Sequence, residues 1–107
     1  MFITEIWMNR KPGGNGAVSD TPTDAEQVAT IIRKLQGSNG GWVQLCGPDK
    51  FMTITSDGDG FTVKVSTASK PPSRWGLGKV DTAAAVDAAK SFMDSGALLP
   101  QLKWSAA

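Results

Sequence analysis

Residues 42–66 contain three short strand-forming segments separated by tight-turn sequences, and this pattern constrains the fold more than any other feature of the chain. The segments Trp42–Cys46, Phe51–Thr55 and Phe61–Ser66 are rich in β-branched and aromatic side chains. Turn-forming residues at 47–49 and 57–60 join them. Because strands joined by such short turns run antiparallel, we expect an antiparallel meander.

The third segment alternates between apolar and polar residues. Phe61, Val63 and Val65 point to one face, whereas Lys64 and its hydroxyl-bearing neighbours point to the other. One face of this strand is therefore expected to be dry and the other wet. We expect the wet face to be uncovered and available for binding.

A helix is predicted between the first strand and the meander. Thr23 and Glu26 have the spacing of a capping box, and Gly37 can end the helix after Gln36. The apolar residues between them recur at helical spacing, namely Val28, Ile31, Ile32 and Leu35.

A second helix is predicted near the end of the sequence. Asp81 or Thr82 can cap its start, and Gly96 can end it. Its apolar stripe consists of small and medium side chains suited to packing on a sheet, namely Ala85, Val86, Ala89, Phe92 and Met93. Leu99, Leu102 and Trp104 in the tail should fold back onto the core.

Two further strands complete the expected sheet. Phe2–Met8 alternates with period two, and Arg74–Gly78 follows a proline-rich break as an edge strand. Residues 9–20 hold a cluster of glycines and a proline, so we expect a flexible loop there. The predicted fold class is α+β, an antiparallel sheet of four or five strands with two helices on one face. Residues 1–107 form a single domain, since domains usually have about 100–150 residues.

Composition argues against most catalytic and nucleic-acid-binding classes. The 107 residues include no histidine, the commonest general base and a frequent zinc ligand, and we expect no enzymatic activity. Eleven basic against ten acidic residues give a net charge of +1, which argues against nucleic-acid binding. Cys46 is the only cysteine, which fits a reducing compartment, and we expect a cytoplasmic protein without a membrane segment.

Five residues are candidates for a protein-binding site. Trp75 and Arg74 form an adjacent aromatic–cation pair of the kind found at interfaces. Lys64, Asp57 and Asp59 could form a polar rim around that pair. The simpler interpretation is that Trp75 packs in the core and the charges are solvated.

Asp57 and Asp59 also allow a metal site to be considered. Their D-x-D-G spacing is similar to the start of a calcium loop, but Ala68 would occupy the position of the loop's bidentate glutamate. A hairpin turn is the better interpretation. We therefore predict no metal and no cofactor.

The order of elements resembles that of small bacterial immunity proteins of the Imm1 kind. The resemblance covers roughly residues 24–104 and includes the stretches GWVQLCGPDKFMTI, DGFTVKV and DAAKSFMDSGALLPQLKW. Its strongest part is a C-terminal pattern, namely Asp81, Ala88, Ala89, Phe92, Leu102 and Trp104. The resemblance implies a non-enzymatic binder that occludes the active site of a cognate toxin or secreted effector. The lack of an acidic excess argues against mimicry of a nucleic acid.

Three hypotheses of function follow. The first is a non-catalytic protein-binding module, an immunity protein that uses the uncovered sheet face or its loops. The second is a small nucleic-acid or ligand-binding domain in which Trp75, Arg74, Lys64 and Lys79 combine aromatic stacking with positive charge. A carboxylate–metal enzyme built on Asp57 and Asp59 is a third, weaker alternative.

Overall fold

The computed structural model of the chain describes residues 1–9 and 17–106. Within them the chain forms two helices and a seven-stranded antiparallel sheet of order β2-β1-β3-β4-β5-β6-β7. The strands are β1 (Glu5–Asn9), β2 (Ala17–Asp20), β3 (Asn39–Cys46), β4 (Lys50–Asp57), β5 (Gly60–Thr67), β6 (Arg74–Val80) and β7 (Ser105–Ala106). The helices are α1 (Ala25–Leu35) and α2 (Thr82–Ser95). The predicted α+β class with an antiparallel sheet is confirmed.

The expected meander forms the middle of the sheet. Strands β3, β4 and β5 are consecutive antiparallel neighbours. Asp57 pairs with Gly60, so Gly58 and Asp59 alone form the loop of the β4–β5 hairpin. Gly58 has a φ of 66°, a conformation that glycine adopts without a steric penalty. The turn interpretation of residues 57–60 is therefore confirmed.

The core lies between the helices and one face of the sheet. Ile6, Leu45, Met52 and Val65 lie side by side on successive strands, and each has at most 1% of its surface exposed. The apolar stripes of both helices belong to the same buried cluster as these residues. This burial of one face follows from the period-two alternation in β3, β4 and β5.

Helix α1 begins one residue later than the capping-box spacing predicts. Asp24 is the N-cap, and its Oδ1 accepts a hydrogen bond of 2.9 Å from the Gln27 backbone N–H. Gln27 in turn accepts a 2.8 Å bond from the Thr23 N–H through Oε1. Asp24 therefore replaces Thr23 as the cap, and the Gln27 side chain binds the N–H of Thr23, the residue before the cap, instead of the cap's own N–H as in a capping box.

Helix α2 has the predicted ends. Asp81 Oδ1 accepts a 2.9 Å hydrogen bond from the Ala84 backbone N–H. Gly96 is the C-cap in a left-handed conformation, with a φ of 73°. An exposed carboxylate at the start and a glycine at the end therefore fix the length of α2.

The prediction of four or five strands was wrong, because the described part of the chain forms a sheet of seven. The additional strands are β2, only four residues long, and β7, only two residues long. Neither is long enough to show a period-two pattern, and each exists because a longer strand supplies its hydrogen-bonding partner. Since β7 pairs with the start of β6, that strand is not a free edge along its whole length.

The expected loop over residues 9–20 is also shorter at both ends. Asn9 belongs to β1, and residues 17–20 form β2, which pairs with β1. The part of this prediction that concerns residues 10–16 lies outside the described residues.

The tail packs on the core much as expected. Leu102 and Trp104 are partly buried against the core, as expected. Leu98 packs against the core instead of Leu99. The Leu99 carbonyl instead accepts a 3.0 Å hydrogen bond from the Trp104 indole N–H. This contact folds the tail into a turn that brings residues 105–106 to the edge of β6.

Candidate functional site

The sheet face opposite the helices is built by the residues that alternate with the core. Trp7, Gln44, Thr53, Lys64 and Gly76 lie side by side on β1, β3, β4, β5 and β6. We call this surface the open face. The polar side of β5 predicted from the sequence is part of it, and its Thr62 and Ser66 are half-buried.

A depression of about 610 Å³ lies over the β4, β5 and β6 part of the open face. Its lining is mainly hydroxyl groups, one aromatic ring and two cations, from Phe51, Thr53, Thr55, Thr62, Lys64, Ser66 and Arg74, with Val65 beneath. Hydroxyl groups both donate and accept hydrogen bonds. The depression therefore offers polar contacts of either kind around a small apolar floor.

Lys64 and Arg74 lie close together in the depression. Arg74 pairs with Ser66, which is two residues from Lys64 on the same face of β5. Such diagonal neighbours have β-carbons roughly 7–8 Å apart. Within the part of the chain that the structure describes, neither side chain forms an ion pair, and both residues are exposed.

The part of the open face formed by β1 and β3 carries two tryptophans. Trp7 on β1 and Trp42 on β3 are both half-buried. The Trp7 indole N–H donates a 3.1 Å hydrogen bond to Glu5 Oε2, two residues earlier on β1, which orients the ring along the strand. Sequence reasoning missed Trp7 and Trp42 as functional candidates. The alternation within β1 and β3 separates the two faces of each strand, but only the register between β1, β3 and β4 places both tryptophans on the same side as Lys64.

Two buried polar side chains, Asn9 and Ser56, support the β1 and β3 part of the open face. The register of β3 against β4 shifts between Asn39 and Trp42. The Ser56 hydroxyl accepts a 3.0 Å hydrogen bond from the Gly41 N–H and lies 3.1 Å from the Gly41 carbonyl oxygen. Asn9 Oδ1 accepts a 3.0 Å bond from the Trp42 N–H. Side chains therefore satisfy backbone groups that the irregular ladder leaves without strand partners.

The structure separates the five residues predicted to form one site. Lys64 and Arg74 share the open face, but Trp75 points to the opposite face, in register with Val65. Trp75 is half-buried and packs against the core. The sequence contained this information, because adjacent residues of a strand point to opposite faces and Arg74–Gly78 was predicted to be a strand.

Asp57 and Asp59 lie at the β4–β5 hairpin rather than beside Trp75. Asp59 Oδ1 forms a 2.8 Å ion pair with Lys79 Nζ, and both side chains are exposed. The hydrogen bond and charge of Lys79 lower the pKa of Asp59 below its ordinary value of 3.8. The same hydrogen bond raises the pKa of Lys79 above 10.5. Asp59 therefore stabilises the hairpin by pairing with β6.

The remaining candidate chemistry is limited. Burial, and secondarily the Glu5 carboxylate, raise the pKa of the Cys46 thiol above 9.0, so the thiol stays protonated at neutral pH. Across residues 1–9 and 17–106, no cluster of three or more His, Cys, Asp or Glu side chains could hold a metal ion.

Neither helix in the described ranges is long and apolar enough to cross a membrane. Trp104, expected to fold back onto the core, is half-buried and packs against the core cluster. Comparison of the chain with protein-family models, with curated proteins and with solved structures finds no match.

Proposed function

We propose that the protein is a non-catalytic binding module that holds one protein partner on the open face. The observation that carries this proposal is that one face of the sheet is buried under helices, while the other presents aromatic, hydroxyl and cationic side chains that no layer formed by residues 1–9 and 17–106 covers. Aromatic and arginine side chains are enriched in protein interfaces. The absence of histidine from the sequence supports the non-catalytic part of the proposal.

The size of the open face suits a protein partner. Five neighbouring strands at about 4.8 Å spacing and eight residues at about 3.3 Å rise give a surface of roughly 24 by 26 Å. Its area of roughly 600 Å² approaches the ~800 Å² that each partner buries in a standard interface. A shallow surface of this extent favours a macromolecule over a small ligand, which needs to be enclosed.

The finer part of the proposal concerns the identity of the partner. In the immunity proteins that residues 24–104 resemble, a domain of this size occludes the active site of a toxin or secreted effector. We propose the same role for this chain, exercised in the cytoplasm of a bacterium. The open face would cover the catalytic groove of the toxin.

Photo-crosslinking tests where a partner binds. The reactive amino acid benzoylphenylalanine replaces Thr55 in the depression or, as the control, the exposed Asp87 on α2. We expect one identified protein to be attached through position 55 but not 87, and to bind the purified unmodified chain in calorimetry. Attachment only through position 87, or through neither position, would overturn the proposal.

A second candidate function is binding of single-stranded nucleic acid on the same face. Trp7, Trp42 and Phe51 share the open face with Lys64 and Arg74, which favours this function because bases stack on aromatic rings beside cations. Of the residues first considered for this role, however, Trp75 packs on the core and Lys79 is paired with Asp59.

Salt dependence distinguishes the two candidates. Two phosphate contacts would give a slope of log K against log salt of only about −1.4, so charge alone would contribute little affinity. Titration of the protein with oligothymidylate at increasing salt measures this slope. Tight binding that weakens more steeply than this would favour the nucleic-acid function.

A further inference from the structure

We propose that the partner presents carboxylate side chains to the open face, and that Lys64 and Arg74 together receive them. This inference rests on the proposed function and specifies the chemistry of the partner. It starts from the two cations in the depression, which have no ionic partner among the described residues.

Glu5 and Asp57, the acidic residues that the strands place on this face, are too far away to neutralise these cations. Glu5 lies four strands from Arg74, which is roughly 19 Å at ~4.8 Å per strand. Asp57 lies four residues along β4 from Thr53, the partner of Lys64, which is roughly 13 Å. Both separations exceed the ~8 Å Debye length at physiological ionic strength. The β5–β6 end of the open face is therefore locally positive although the chain as a whole is nearly neutral.

The surroundings of Lys64 and Arg74 suit a carboxylate. Thr62 lies beside Lys64 on β5, and its hydroxyl group can donate a hydrogen bond to an oxygen anion. Ser66 pairs with Arg74, and its hydroxyl donates a long 3.4 Å bond to the Thr67 carbonyl oxygen. The Arg74 guanidinium can hold a carboxylate through two parallel hydrogen bonds. Phe51 lies across the strands from Ser66 and provides an apolar contact for the methylene groups of a glutamate.

The cation beside the β4–β5 hairpin, Lys79, does not form a similar site. Lys79 is engaged by Asp59 at 2.8 Å, and its hairpin lies at the far end of β4 from Phe51. A polyanion such as a nucleic acid would need a longer track of unpaired cations than Lys64 and Arg74 provide. The pair fits one or two carboxylates of a protein better.

An amide chemical-shift titration with a synthetic octaglutamate peptide tests this proposal. The expected result is that shifts concentrate at residues 62–66 and 74–76. Lys64→Gln/Arg74→Gln should weaken binding by about tenfold, because each charge contact contributes a modest share of the affinity. The matched control, Lys34→Gln/Lys103→Gln, removes the same charge from exposed residues elsewhere and should change affinity less than about twofold.

Several outcomes would overturn the inference. Equal weakening in the control would mean that only net charge matters, and shifts spread over the surface would mean that no carboxylate site exists. Tighter binding of a twelve-residue oligothymidylate to the same amides would assign the cations to a nucleic acid.

A partner measurement separates this inference from the proposed function. If the protein attached through position 55 binds the Lys64→Gln/Arg74→Gln variant as tightly as the wild type, the carboxylate inference fails while the open-face function stands. If no protein is attached through position 55, the proposed function itself fails.

Discussion

At the residue scale, the Ser56 side chain supports an irregular part of the sheet. Only 2% of its surface is exposed, and its hydroxyl lies within hydrogen-bond distance of both backbone groups of Gly41 and of Ser38 Oγ. No apolar residue could replace these bonds. The Ser56 hydroxyl therefore allows β3 to change register while keeping its backbone groups paired.

Replacing Ser56 tests this role. Ser56→Ala leaves the Gly41 N–H without an acceptor in a buried place, so unfolding free energy should fall by about 1–3 kcal/mol. Ser66→Ala, on the open face, removes a hydroxyl of the same size and should change stability by less than about 0.5 kcal/mol. Urea denaturation measures both variants. Equal losses of unfolding free energy in the two variants would show that the buried Ser56 hydroxyl contributes no more to stability than the Ser66 hydroxyl.

The Asp59–Lys79 pair predicts a weak pH dependence. Because the folded-state pKa of Asp59 is lowered, its stabilising contribution is present above the ordinary pKa of 3.8 and is lost as pH falls through the lower folded value. Because the pKa of Lys79 is raised, its contribution is present below 10.5 and is lost as pH rises through the higher folded value.

The difference in urea midpoint between wild type and Asp59→Asn should therefore be small at pH 7 and disappear in strong acid and in strong alkali. Both residues are exposed, so solvent screens the pair. A difference that grows in acid would contradict this assignment.

At the element scale, long periodic segments were predictable and short ones were not. The alternation in β3, β4 and β5 and the apolar stripe of α2 placed those elements correctly, because their own side chains specify which face is buried. Strands β2 and β7 depend on hydrogen bonds to β1 and β6, which local sequence does not encode. The cap of α1 moved by one residue because Asp24 competes with Thr23 for the same role.

The N-cap of α2 provides a test of element stability. Asp81→Ala removes the acceptor of the Ala84 N–H and should cost about 1 kcal/mol. Asp87→Ala removes an exposed carboxylate from the middle of the same helix and should cost less than about 0.5 kcal/mol. Thermal denaturation followed by circular dichroism compares them. A larger loss for Asp87→Ala would contradict the capping assignment.

Substitutions at two glycines test how tightly the turn between β3 and β4 packs against the Phe2 ring. A β-carbon on Gly47 would lie only 2.7 Å from Phe2 Cζ, whereas one on Gly78 would meet no atom of the described residues within 4 Å. Phe2 is held by an edge-to-face contact with Phe92 at 5.4 Å. We expect Gly47→Ala to lower the unfolding free energy by about 1–3 kcal/mol through overpacking. Gly78→Ala is the control, and an equal loss there would attribute the effect to glycine replacement in general.

At the scale of the whole molecule, the sheet separates the buried core from the proposed binding surface. One face is buried under α1 and α2, and the other carries Lys64, Arg74 and the hydroxyl-lined depression. Part of this site was predictable, since the alternation in β5 already assigned Lys64 to an uncovered face. The contributions of Trp7 and Trp42 were not predicted, because they required the register between β1, β3 and β4.

A steric block of the open face tests the central claim most directly. Thr55→Trp/Thr62→Trp fills the depression from two paired positions, and Ala83→Trp/Asp87→Trp adds the same bulk to the exposed side of α2. Calorimetry with the protein identified by crosslinking should show affinity reduced by at least about thirtyfold for the first variant, a loss of ~2 kcal/mol typical of a disrupted interface centre. The α2 variant should bind like the wild type. Unchanged affinity after the depression is filled, with weakened binding after α2 is altered, would place the interface on the helices and contradict the account.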